Sequence, residues 1–255
     1  MVPMQCGGFI LSFLVRIEES RDLMRIAIVG NGKMGKAVAA LATERGHSIH
    51  ILVNRLENDG GRALTAERLG GADVAIEFTR PDAAVANLER LISLGLPTVT
   101  GTTGWTESLP KLSELVRQRA GALLHAANFS VGVHLFFRAA RDLARSFRGR
   151  SEFAVSIHEE HHKTKLDTPS GTALLLQRQL WEEEPGRRFP ITSVRAGDAP
   201  GTHAISYTAQ HETVTLTHVT RSREVFAAGA LAAAEWLPGR TGVFTFDQML
   251  FGEPG

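Results

Sequence analysis

The stretch Glu159-Glu-His-His-Lys-Thr-Lys-Leu-Asp-Thr-Pro-Ser-Gly-Thr172 crowds titratable groups against what reads as the start of a helix. Thr168 is placed as the N-cap and Pro169 at the first helical position. Proline has no N–H, so Ser170, Gly171 and Thr172 supply the open donors of the first turn, and the helix dipole adds positive potential there. Gly171 has no side chain to hold a ligand off, and the Ser170 and Thr172 hydroxyls add further donors. This is a site for a carboxylate or a phosphate. His161, His162 and Lys165 stand just before it, on a loop leaving the preceding strand. Three potential cations beside a helix N-terminus repel one another unless an anion binds, which favours a small-molecule substrate with more than one carboxylate. Such a histidine can hold or donate a proton near neutrality, and such a lysine can neutralise charge or deliver a proton. Two other readings stand beside this one: a solvated charged loop, and a metal site built from His161, His162 and Glu159. Lys165 would oppose a divalent cation, and no metal is expected.

The elements that must carry this chemistry are legible in the apolar periodicity. Arg25–Val29 reads as a strand ending in Gly30-Asn31-Gly32-Lys33-Met34-Gly35. A helix from Lys36 to Arg45 and a strand from Ile49 to Val53 follow. In the context strand–turn–helix–strand, this GxGxxG is a dinucleotide-binding turn. Gly30 makes the turn, Gly32 admits a pyrophosphate, and Gly35 lets the helix pack on the strand. A glycine-rich turn without a ligand is the alternative. Strands at 74–78, 98–100 and 122–126 alternate with helices at 81–94 and 109–119, which implies a parallel sheet with right-handed crossovers. The loops at the strand C-termini, with Thr79–Arg80, Gly101-Thr102-Thr103 and Ala126-Ala127-Asn128-Phe129, outline one dinucleotide cleft. After the second strand, Asn54 can bond a ribose hydroxyl and Arg55 can pair with a 2′-phosphate. This leans towards NADPH with NADH left open; Arg55 as a solvated surface residue is the alternative.

Beyond Ser130 the pattern changes. A long helix at 131–147 precedes strands at 153–157, 191–195, 203–208 and 213–218, the later ones with no helix between them, and an alanine-rich helix at 224–236. The fold class is therefore α/β: a Rossmann-type parallel sheet domain with a second, smaller α+β domain carrying a mixed sheet.

Composition narrows the function. The chain has 255 residues, 22% charged, with a formal net charge of +1. That balance gives no reason to expect nucleic acid as a partner. The single cysteine, Cys6, excludes an internal disulfide and fits a reducing cytoplasm. The apolar run Gly7–Val15 falls far short of the roughly 20 residues a membrane span needs, and no basic segment precedes it as in a signal peptide. Residues 1–23 are expected to be an extension, with the folded protein beginning near Met24 and no membrane partner.

With these residues in place, the chain resembles the 4-hydroxy-tetrahydrodipicolinate reductases (dihydrodipicolinate reductases) over about residues 25–251. The densest match is Glu160-His-His-Lys-Thr-Lys-Leu-Asp-Thr-Pro-Ser-Gly-Thr-Ala173, against a family signature HHxxKxDxPSGTA. GTTGW from Gly101, AANFSVGV from Ala126, RAGDAPGTH from Arg195, Ser222-Arg223 and the closing FAAGALAAAEWLPGRTGVFTFDQML are similar too. The resemblance implies His161 as the catalytic histidine and Lys165 as the proton donor. It implies substrate contacts from His162, Ser170, Gly171, Thr172 and Arg223. It also implies NADPH or NADH in the glycine turn and the loops named above, and a reductive step of lysine biosynthesis through diaminopimelate. Its domains would be 25–128 with 224–255 for the dinucleotide and 129–223 for substrate and oligomerisation, in a cytoplasmic homotetramer hinged near Asn128–Phe129 and Arg223. The glycine turn is one residue tighter than in many members, Asn54 stands where an acidic residue is common, and 181–191 is short. The alternatives are another two-domain NAD(P)-dependent amino-acid dehydrogenase, which has no need of HHxxK beside PSGT, and a non-enzymatic dinucleotide sensor, which needs no proton donor.

Overall fold

In the computed structural model the described residues are 22–197 and 200–252. All but the last two residues of the expected extension lie outside them. By compactness the chain divides into two units, one running to Ala127 and resuming at Ala230, the other Asn128–Gly229.

The first unit is built on strands β1 (Arg25–Val29), β2 (Ser48–Val53), β3 (Val74–Glu77), β4 (Thr98–Thr100) and β5 (Ala122–His125), with helices α1 (Lys33–Glu44), α2 (Ala66–Leu69), α3 (Pro81–Ser93) and α4 (Leu109–Arg119) between them. The sheet order is β10-β5-β4-β3-β1-β2 and every pairing is parallel; β10 (Gly242–Thr245) returns from the end of the chain to pair with β5. Ile26, Ala27, Ile28 and Val29 of β1 are all fully buried, the uniform burial expected of a strand covered on both faces. Thus the apolar run, rather than any alternation, marks the centre of the sheet.

Helix α1 begins at Lys33, three residues before the expected start. Gly32 is extended and acts as its N-cap, so Met34 and Gly35 are already helical. Two glycines make the close approach possible. Gly30 has φ +107°, and a Cβ there would lie 2.1 Å from the Phe78 carbonyl oxygen; a Cβ on Gly35 would lie 1.8 Å from the Gly30 carbonyl oxygen. The first helical turn therefore rests directly on the end of β1.

The second unit pairs a sheet of order β7-β6-β8-β9 with two helices. β6 is Ala154–His161, β7 Ile191–Arg195, β8 Gly201–Thr208 and β9 Thr213–Thr220. β6 and β7 are parallel and the other pairs antiparallel. Helices α5 (Val131–Ser146) and α6 (Gly171–Glu183) cover one face, burying Val133, Phe136, Phe137, Leu176 and Leu180 against Val155, Ile157, Ile205 and Tyr207. α7 (Glu224–Trp236) spans the division at Ala230, and α8 (Phe246–Phe251) ends the described chain. The other sheet face carries Ser156, His158 and Glu160 beside Thr202, Ala204 and Ser206, and then Thr215, Thr217 and Val219; Ala204 is buried and the others are half-buried or exposed.

β6 outruns its expected end at Ile157 by four residues. Glu159, Glu160 and His161 look unlike a strand in sequence, yet they pair with Ser193–Arg195 on one side, and Glu159 and Glu160 with His203 and Thr202 on the other. His161 is thus a strand residue, not a loop residue.

Candidate active site

Alternate residues of a strand share a face. On β6 that puts Glu159 and His161 on the inner face, one step beyond the apolar pair Val155 and Ile157. The same face receives Ser193 and Arg195 from β7, His203 and Gly201 from β8, and His218 and Thr220 from β9. The helices cover the apolar end of this face; its other end is a buried polar centre. Glu159 is fully buried, and His161 and His203 nearly so.

Glu159 organises the centre. Its Oε1 accepts the backbone N–H of Ser170 at 3.0 Å and Arg195 Nη2 at 3.0 Å, while Oε2 lies 3.2 Å from His161 Nδ1 and 3.8 Å from His203 Nε2. Burial works to raise this carboxyl, but hydrogen bonds from Ser170, Ser193 and Arg195 overcome it and hold the group at about 2. His161 is pushed below its ordinary value, mainly by burial; Glu159 pulls it up, and Lys165 and Arg195 push it further down. His203 is pushed down to about 4 by burial and by the neighbouring His161. Its ring meets that of His161 edge-on at 5.0 Å. A Cβ on Gly201 would stand 2.8 Å from His161 Nε2, so this glycine leaves space at the ring's outer nitrogen.

The helix start differs from the sequence reading. The N-cap of α6 is Ser170, not Thr168, and the first helical residue is Gly171, not Pro169. Ser170 is buried; its hydroxyl accepts the Ala173 N–H at 3.1 Å and lies 3.3 Å from His203 Nε2. Neither its amide nor its hydroxyl projects as an open donor. The Asp167 carboxylate pairs with Lys165 Nζ at 2.7 Å; that hydrogen bond is the main reason the carboxyl sits low, and the Gly171 amide adds a smaller pull in the same direction. Thr172 supplies the next amide of the turn. His162 lies outside the buried centre, with Nδ1 2.7 Å from Thr164 Oγ1 and Nε2 3.5 Å from Arg223 Nη2. Among the described residues the metal-ligating types that cluster are Glu159, His161 and His203, so His203 takes the place expected of His162. Arg195 at 3.0 Å from that carboxylate opposes a divalent cation.

In the first unit, a cleft of about 390 Å³ brings together Gly30, Asn31, Gly32, Asn54, Arg55, Thr79 and Arg80 from the expected set. Nothing stands within 4 Å of the Cβ position of Gly32. Arg55 is exposed, with no ion pair among the described residues. Asn54 is committed to its own turn: Oδ1 accepts the N–H groups of Leu56 and Glu57, and Nδ2 donates to Glu57 Oε1. The remaining expected residues do not line this cleft. Gly35 is packed beneath the turn and Gly101 against the Phe78 ring; Lys33 and Met34 lie in the first turn of α1. Thr103 and Ala127 are exposed, Ala126 is half-buried with its N–H on Thr100 O, and Phe129 is buried. Asn128 Oδ1 accepts the Ser130 N–H.

Several residues escaped the sequence reading. Glu77, fully buried at the end of β3, accepts the Thr79 N–H at 3.0 Å and the hydroxyls of Thr79, Thr100 and Thr102. It ties together the loops after β3 and β4. Glu159 and His161 both stand in the dense motif read from the sequence; Arg195 and His203 are the two ends of RAGDAPGTH, but nothing in that segment tells that sheet register carries both to Glu159.

Residues 24–129 match the family model described as dihydrodipicolinate reductase, N-terminus, and residues 132–250 the one described as dihydrodipicolinate reductase, C-terminus. A 4-hydroxy-tetrahydrodipicolinate reductase of Christiangramia forsetii is 36% identical over 239 residues, covering 89% of this chain and 98% of its own length. That of Neisseria meningitidis serogroup B is 32% identical over 266 residues, covering 89% and 97%. Among solved structures, the dipicolinate-bound dihydrodipicolinate reductase from Paenisporosarcina sp. TG-14 aligns with a TM-score of 0.69 at 23% identity, covering 88% of this chain and 98% of that one.

Proposed function

The chain belongs to the dihydrodipicolinate reductase family, and on that premise we propose how its residues divide the work of a 4-hydroxy-tetrahydrodipicolinate reductase. The substrate is a cyclic imine dicarboxylate on the diaminopimelate route to lysine, reduced with loss of its 4-hydroxyl as water. A bound nicotinamide dinucleotide supplies the hydride. The single observation that carries the assignment is the buried His161, with Lys165 and an amide-lined helix start beside it.

The amides of Gly171 and Thr172, at the start of α6, grip one ring carboxylate. His162 and Arg223, 3.5 Å apart, answer the second carboxylate. Lys165, released from Asp167, and His161 through Nε2 deliver the proton that the ring carbon needs once reduction has left an enamine. Fixing the ring by both carboxylates converts these encounters into an intramolecular proton transfer. Ser170 acts as the cap that holds the helix start, rather than through an open donor.

The dinucleotide fits the first unit: Gly32 leaves room for the pyrophosphate at the N-terminus of α1. Arg55, exposed and without an ion pair among the described residues, answers a 2′-phosphate, so NADPH is the favoured cofactor; Asn54, held in its own turn, adds little. Residues 25–128 with 224–255 form the dinucleotide domain and 129–223 the substrate domain. The Ser/Thr-rich face of the second sheet, exposed at Thr215, Thr217 and Val219, serves a homotetramer. Among the described residues no helix is long and apolar enough to cross a membrane, and we place the enzyme in the cytoplasm.

The test is His161→Gln and Lys165→Ala. Each lowers kcat about a hundredfold while the Kd for NADPH stays within a factor of two or so. Equal loss of NADPH affinity would move both residues out of the substrate site.

A further inference from the structure

One carboxylate in this centre touches both halves of the proposed chemistry, and no step described above uses it. Glu159 Oε1 holds the Ser170 amide, one residue before the amides that grip substrate, and Oε2 faces His161 Nδ1. Arg195 neutralises the charge and ties it further to the loop, since its Nη2 also donates to the Asp167 carbonyl oxygen at 2.6 Å.

We propose that Glu159 is the positioning residue of the site: it turns His161 so that Nδ1 is the donor towards its carboxylate and Nε2 the nitrogen that exchanges a proton, and it fixes the helix start to the same point. The inference rests on the reductase reading above. The geometry supports it in three ways. Glu159 and His161 are two residues apart on one strand, so their side chains must share a face. Glu159 Oε2 and His161 Nδ1 are 3.2 Å apart and, as placed, without an aligned hydrogen-bond partner; a small ring rotation pairs them, and catalytic bonds commonly tighten only when substrate is present. Nε2, the ring's other nitrogen, lies beside Gly201, where any Cβ would come within 2.8 Å of it.

The charged and titratable groups facing His161 agree with this. They are Glu159 on its own strand, Arg195 on β7, His203 on β8, and Lys165 and Asp167 on the loop; His218 on β9 acts on His203. Glu159 is the one that favours a proton on the ring at close range, while Arg195, Lys165 and burial oppose it. A carboxylate placed behind a histidine in this way selects the neutral tautomer protonated at Nδ1 and stabilises the imidazolium when Nε2 takes its proton.

Two measurements on the full chain test this. In the unaltered protein, 15N–1H correlation spectra, with the His161 ring assigned by its loss in His161→Gln, should show the Nδ1–H tautomer above the ring's pKa; an Nε2–H tautomer overturns the proposal whether or not the protein turns over substrate. In Glu159→Gln the amide side chain can still accept the Ser170 N–H while offering a donor to His161. The expected result is a fall in kcat on the order of 10²-fold, an unchanged Kd for NADPH, and loss of the His161 limb from the pH profile of kcat. Placed on His161→Gln, the same change should cost less than about threefold more, because it acts through that ring. A kcat within threefold of the unaltered enzyme, or full additivity in the double variant, overturns the proposal. No turnover by the unaltered enzyme would fall on the reductase reading, and the tautomer would still judge Glu159.

Discussion

Ser170→Ala separates a capping serine from a ligand-binding one. The Ser170 hydroxyl accepts the Ala173 N–H at 3.1 Å in a buried position. Alanine removes that acceptor and leaves one first-turn N–H unpaired, a loss of about 1 kcal/mol. The bond from the Ser170 N–H to Glu159 is a backbone donor and survives. The variant should therefore unfold at lower urea, and its Tm should fall by about 2–4 °C. Because Gly171 and Thr172 keep their amides, KM for the dicarboxylate should change less than about threefold. Urea unfolding followed by far-UV circular dichroism, with steady-state kinetics on the same preparation, measures both. An unaltered urea midpoint with KM raised tenfold would show that the hydroxyl meets substrate and refute the capping argument.

Three further outcomes can be checked. Arg55→Ala should weaken NADPH by about tenfold while leaving NADH nearly unchanged, as expected for loss of one exposed phosphate-pairing guanidinium; an unaltered ratio of the two Kd values would remove Arg55 from the cofactor site. Glu77→Ala should destabilise the chain by about 3 kcal/mol, since it strips a buried acceptor from three hydroxyls and an amide; a urea midpoint equal to the parent's would contradict this. Acid should lower the stability of the fold over two pH windows. His203 stays neutral in the fold down to about 4 against an ordinary 6.5, so the unfolded chain binds more protons between these values and stability falls as pH drops through them, by about 3 kcal/mol. Glu159, at about 2 against 4.5, then contributes stability that is present above 4.5 and is lost as pH falls towards 2. Urea midpoints against pH should show both slopes, and His203→Asn should flatten the upper one.

How much of this was readable in the sequence depended on range. The Rossmann strands were legible as short runs rich in apolar and β-branched residues, with glycine directly after β1 and β4, and α4 has the expected bounds, with Pro110 in its first turn and Ala120 ending it in a left-handed conformation. The dinucleotide turn was legible because its glycines are local requirements of backbone geometry. The end of β6 was not, since Glu159-Glu-His161 has no strand signature of its own; partners on β7 and β8 make it a strand. The helix start misled for a related reason. Thr168 and Ser170 are both able caps, and only tertiary packing, with the Ser170 amide on Glu159, selects the second. His161 and Lys165 could be named from a dense motif, whereas Arg195 and His203, the two ends of RAGDAPGTH, enter the centre through a sheet register that the segment itself does not record.

The reductase activity is read out by coupling the purified protein to a dihydrodipicolinate synthase supplied with pyruvate and aspartate semialdehyde, and following NADPH and NADH absorbance in separate reactions. Oxidation is expected to require the synthase and to run faster with NADPH. A folded protein that binds dinucleotide yet oxidises neither cofactor in the presence of the synthase would contradict it.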